Sequence, residues 1–113
     1  MSASTLAPRL ARLPFATVLG GRFPVAEEKR ARLLGLAGLH SDEAGAGLLI
    51  PRCASVHTFG MRFPLDIYFL DRAGAVLCTR LEIPARRLVC CRGARAVLEI
   101  PAEQGGEIRR PQP

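Results

Sequence analysis

The stretch Leu65-Asp66-Ile67-Tyr68-Phe69-Leu70-Asp71-Arg72-Ala73-Gly74-Ala75-Val76-Leu77-Cys78-Thr79-Arg80-Leu81 decides the fold class. Leu65, Ile67 and Phe69 alternate with Asp66, Tyr68 and Leu70, which is the two-residue period of a strand. Asp71-Arg72-Ala73-Gly74 has Asp at the first position of a turn and Gly at the last, and Ala75 to Leu81 runs back. A β-hairpin is therefore predicted. Downstream, Glu82-Ile83-Pro84-Ala85 makes a connection, Leu88 to Cys91 a strand, Arg92-Gly93 a bend, and Ala96-Val97-Leu98-Glu99-Ile100 a last strand ended by Pro101.

Upstream, Leu48-Leu49-Ile50 reads as a short buried strand ended by Pro51. The polar loop before it, His40 to Gly47, is not a phosphate cradle, because such a loop ends in Gly-Lys-Ser/Thr and opens a helix. Phe15 to Leu19 reads as another strand, closed by a turn at Gly20-Gly21. After Pro24 the pattern becomes helical. Glu27 and Glu28 fall in the first turn and Lys29, Arg30 and Arg32 further along, as the helix dipole favours, while Ala26, Leu33, Leu34 and Ala37 form an apolar stripe.

These elements predict an α+β domain over residues 14–102, with one N-terminal helix packed on a strongly bent, barrel-like, mostly antiparallel sheet of about six or seven short strands. Residues 1–13 are expected to be a flexible arm and 103–113 a frayed tail. At 113 residues with 49% apolar composition, one core can form and two cannot. No apolar run approaches the roughly 20 residues of a membrane-spanning helix, since Pro8, Arg9, Arg12 and Pro14 break the segment from Leu6 to Leu19. A signal peptide is not expected for the same reason, and the expected location is cytoplasmic, with reduced thiols. The net charge of +6 is carried by arginines scattered along the chain, and aromatic residues make up 5% of it. Nucleic-acid binding, which needs clustered basic residues and stacking platforms, is not expected.

Four cysteines and His57 raise the question of a metal centre. On an extended strand Cys53 and His57 would stand about 13 Å apart, and Cys90 and Cys91 would face opposite sides. No metal site is expected, and Cys53, His57 and Cys91 form only a weak alternative set. The same residues, with Asp66, could serve a cysteine-dependent hydrolase if the fold brought them within hydrogen-bond reach. Asp66 opens an otherwise apolar strand, so its carboxylate must be paired, hydrogen-bonded to backbone donors, or at a rim. Glu99 raises the same question in the last strand, where it either faces solvent by simple alternation, the favoured reading, or points into the barrel mouth near an arginine.

Arg32-Leu33-Leu34-Gly35-Leu36-Ala37-Gly38-Leu39, Gly47-Leu48-Leu49-Ile50, His57-Thr58-Phe59-Gly60-Met61-Arg62-Phe63-Pro64-Leu65-Asp66-Ile67-Tyr68-Phe69-Leu70-Asp71 and Ala96-Val97-Leu98-Glu99 together resemble the domain-of-unknown-function 192 family of bacteria and archaea. The resemblance covers about residues 15–102 and falls in the branch with His-Thr-x-Gly-Met before the Pro-Leu-Asp-Ile run. It implies a compact α+β domain with a strongly bent sheet, and no reaction, cofactor or substrate.

The function expected is that of a small, non-enzymatic binding or accessory domain. Its site would be formed by His57, Thr58, Met61, Arg62 and Asp66 at one end of the sheet, for a small polar or anionic ligand or a peptide segment and without a cofactor. His57 either fixes the Thr58–Met61 turn through hydrogen bonds or faces the ligand. The alternatives are a Cys/His-dependent or metal-assisted enzyme, and a structural module that pairs through a strand edge such as Leu88–Cys91 or Phe15–Leu19.

Overall fold

The computed structural model describes residues 6–102, so the expected frayed tail at 103–113 lies outside the described residues. Eight strands and two short α-helices form an α+β fold. In chain order they are α1 (Pro8–Ala11), β1 (Phe15–Val18), β2 (Gly21–Pro24), α2 (Lys29–Leu34), β3 (Leu48–Pro51), β4 (Ser55–His57), β5 (Leu65–Leu70), β6 (Val76–Ile83), β7 (Leu88–Cys90) and β8 (Ala96–Pro101), with a 3-10 turn at Ser41–Glu43 before β3. No helix among the described residues is long and apolar enough to cross a membrane.

The hairpin β5–β6 forms as its sequence predicts. Asp71 Oδ1 accepts the backbone N–H of Ala73 at 2.8 Å and of Ala75 at 2.9 Å, which is the Asx geometry that suits Asp to the first turn position. Among the described residues the sheets do not close into a barrel. A four-stranded antiparallel sheet in the order β3-β8-β5-β6 stands between two separate hairpin-like pairs, β1-β2 and β4-β7. Both of its faces are covered. Phe23 and Val25 pack with Leu49, Tyr68, Leu70, Leu98 and Ile100 on one side. On the other, Leu10, Leu36, Leu39, Val56 and Val89 pack with Leu48, Ile50, Leu65, Ile67, Phe69 and Val97. All six residues of β5 are buried in consequence, and two-sided covering of this kind gives continuous apolar runs rather than strict alternation.

Two further expectations need correction, the packing of the helix and the state of the thiols, while part of the segment 1–13 is helical: Pro8 begins α1, Leu10 is buried, and the Ala7 N–H donates to Glu43 O at 2.9 Å. Pro at the first helical position and one well-buried leucine suffice to order it. The expected helix is α2, which has no fully buried residue of its own and meets the core through Ala31 and the trailing Leu36. The thiols are not all free. Cys78 and Cys91 form a disulfide with a Cα–Cα distance of 6.5 Å, inside the range that bond requires. Alternation does separate the neighbours Cys90 and Cys91, the first exposed and the second buried, and this turns Cys91 inward toward Cys78.

Candidate functional site

Glu99 is the centre of the site. It lies on β8 opposite Leu48 of β3 and Ile67 of β5, so its side chain shares their face of the sheet, beneath α2 and β4. Only 3% of it is exposed, and its Oε1 has no hydrogen-bond partner among the described residues. Burial without a compensating charge pushes its pKa up to about 8, which leaves it mainly protonated at neutral pH. Two glycines frame it. A Cβ at Gly47 would run into the backbone oxygen of Glu99, and one at Gly35 would lie 3.3 Å from its Oε1. Gly35 ends α2 at φ 55°, so the helix terminates where the chain can pass closely over the carboxyl.

A cavity of about 110 Å³ opens over this carboxyl. Its walls come from α2 and its trailing turn, through Arg32, Gly35 and Leu36, and from the segment around β4, through Cys53, Val56, His57 and Met61. The two walls are tied by the Gly38 N–H donating to Gly60 O at 2.9 Å. Arg32 reaches across to donate from Nη2 to Arg52 O at 2.6 Å, while its buried Nε has no partner. A wider groove of about 680 Å³ runs between α1 and α2. Its Arg9 is already engaged, donating to Gly35 O at 3.0 Å and Ala37 O at 2.7 Å, and none of its lining residues has a buried polar side-chain atom without a partner.

The five residues expected to form one site are divided among four places. His57 and Met61 line the cavity. The Nδ1 of His57 accepts the Phe59 N–H at 3.2 Å, so the ring fixes its own turn while bordering the cavity. Thr58 is fully buried. Its Oγ1 donates to Pro84 O at 2.7 Å and accepts the Arg87 N–H at 2.8 Å, fastening the β6–β7 connection. Asp66 is also fully buried and faces the other side of the sheet, where its Oδ1 accepts the Glu82 N–H at 2.9 Å. Glu82 has φ 53° in a strand whose register shifts opposite Asp66, so the carboxylate holds a bulge. Arg62 is exposed beside His40, 3.3 Å from its Nε2.

The weak set of Cys53, His57 and Cys91 is not assembled for thiolate chemistry, because Cys91 is in the disulfide and the Cys53 thiol donates to Ser55 O at 3.1 Å. Among the described residues no three His, Cys, Asp or Glu side chains are grouped to hold a metal ion. The strand edges named as pairing surfaces carry exposed apolar residues, Leu88 at 70% and Phe15 at 39%. Sequence reasoning singled out Glu99 but favoured solvent over the barrel mouth for it, and it missed Arg32. The available signal was a glutamate with Val97, Leu98 and Ile100 around it in one strand, which is a buried carboxyl whenever the sheet is covered on both faces.

Two solved structures share this fold. A protein of unknown function from Novosphingobium aromaticivorans DSM 12444 is similar with a TM-score of 0.64 at 20% identity, over 95% of this chain and 86% of that one. A candidate transcription regulator from Sinorhizobium meliloti 1021 is similar with a TM-score of 0.66 at 18% identity, over 83% of this chain and 81% of that one. No curated protein matches the chain. The model of DUF192, described as an uncharacterized ACR, matches residues 18–109, which takes in β2 through β8 and the whole cavity, and the chain belongs to that family.

Proposed function

We propose that this chain is a non-enzymatic binding domain for a small polar molecule, held in the cavity over Glu99 with His57 and Met61 in its walls. The observation that carries this reading is the orphaned Oε1 of Glu99. An unsatisfied buried polar group costs about 1–3 kcal/mol, and strongly perturbed carboxyls in cavities concentrate at functional positions. A ligand that bonds to the carboxyl would offset that cost. The volume favours one polar group with a short attachment over a peptide segment. Thr58 and Asp66 support the site from a distance by fixing the connections around it. An enzymatic reading draws no support from Cys91, which is not a thiol.

Thermal-shift screening of fractionated metabolite pools tests the proposal on three proteins: the natural chain, Ser55→Trp, which places an indole at the cavity wall, and Glu99→Gln. A pool that raises the melting temperature of the natural chain and not of Ser55→Trp is the expected result. If no pool acts, or if every active pool acts equally on Ser55→Trp, the cavity is not the binding site.

A further inference from the structure

Two buried polar atoms without partners border the same cavity, Arg32 Nε and Glu99 Oε1. Their chemistry restricts what can sit between them. A guanidinium nitrogen only donates, so the ligand group that meets Arg32 must be an acceptor. A carboxyl that keeps its proton donates as well. The remaining walls at Leu36, Val56 and Met61 are apolar. An organic cation would lie against the Arg32 guanidinium in a chain of net charge +6, an arrangement that like-charge repulsion disfavours.

We propose that the cavity takes the carboxylate of a small organic acid, with its oxygens receiving hydrogen bonds from Arg32 Nε–H and from the Glu99 carboxyl and its apolar tail against Leu36, Val56 and Met61. The inference rests on the cavity reading above and adds the ligand's class. An acid and a carboxylate that share one proton make a short, charge-assisted hydrogen bond. Binding then requires protonated Glu99, whose pKa of about 8 supplies it at neutral pH. The other charged or titratable groups that face Glu99 across the cavity are Arg32 from α2, Cys53 from the segment before β4, and His57 from β4. Its sheet neighbours Leu48 and Ile67 bring none.

Ligand-observed NMR titration of the whole chain with hexanoate and with hexylammonium, at pH 7 and pH 9, tests the class. Hexanoate is expected to bind the natural protein and to weaken about tenfold between the two pH values, following the protonated fraction of a group with a pKa near 8. Glu99→Gln keeps a neutral donor, so it should bind hexanoate equally at both pH values. Binding of hexylammonium in place of hexanoate overturns the carboxylate assignment and leaves the cavity as the site. A pH dependence that persists in Glu99→Gln overturns the part given to Glu99. If neither probe binds, the assignment of a carboxylate is wrong, and the cavity itself is then judged by the Ser55→Trp comparison in the pool screen.

Discussion

Asp66 and Glu99 stand on neighbouring strands of one sheet, both buried, and they face opposite sides of it. On the β1-β2 side, Asp66 meets a backbone N–H that a bulge at Glu82 turns toward it. On the α2 side, Glu99 meets a cavity and an oxygen without a partner. The same functional group thus does two jobs. A carboxylate with a built-in donor is part of the scaffold, and one whose donor is missing leaves a vacancy that a ligand can fill.

The largest expected effect separates the two carboxyls by pH. The native carboxyl of Glu99 holds its proton up to about pH 8, whereas the unfolded chain releases it near 4.5. Its contribution to stability is therefore complete below pH 4.5, declines between 4.5 and 8, and is lost above 8. The decline should be on the order of 5 kcal/mol, read as the difference between the natural protein and Glu99→Gln in urea unfolding at pH 4.5 and pH 8.5. Equal pH slopes for the two proteins would place the carboxyl in contact with water.

Next in size is the disulfide, which ties β6 to the Glu99 side of the sheet across 13 residues of sequence separation. Cys78→Ser should cost about 3 kcal/mol, and alkylation of the unreduced natural protein should find two free thiols, Cys53 and Cys90. Asp66→Ala should cost about 2 kcal/mol, since it strands the Glu82 N–H, whereas Glu28→Ala on the surface should be nearly silent. Matching melting temperatures for those two variants would remove Asp66 from the scaffold. Glu99→Met, by contrast, should raise stability by about 1–2 kcal/mol below pH 4.5, where the carboxyl is protonated in both states, while abolishing ligand binding, because it deletes an unsatisfied polar group. The smallest effect belongs to His57→Ala, at about 0.5–1 kcal/mol for the lost bond to the Phe59 N–H. A larger loss would mean that the ring supports the fold more than it borders the cavity.

The β5–β6 hairpin was legible because its turn chemistry is local: Asp71 bonds to residues two and four places on. Local signals also marked β3, β7 and β8. They failed for β2, whose Gly21-Arg22-Phe23-Pro24 has no period, for the three-residue β4, and for α1, where four residues gain their order from the burial of Leu10. The burial of Glu99 was open but not decided in the sequence, for a different reason. Alternation tells which residues share a face, and only the docking of β1-β2 and of α2 with β4-β7 tells whether a face is dry. The disulfide was hidden in the same way, since Cys78 and Cys91 meet through strand placement that no spacing rule encodes.

The central position of β8 has a consequence for synthesis. Among the described residues β3 pairs along its length with β8 and touches Val25 through a single bridge at Leu49, and β5 has β6 on one side and β8 on the other. The strand that joins the sheet is therefore the last of the eight to leave the ribosome. Until Ala96–Pro101 is made, the nascent chain can form hairpins but cannot seal either hydrophobic layer. A chain cut anywhere before residue 96 lacks the strand that joins β3 to β5 and with it the core of the sheet.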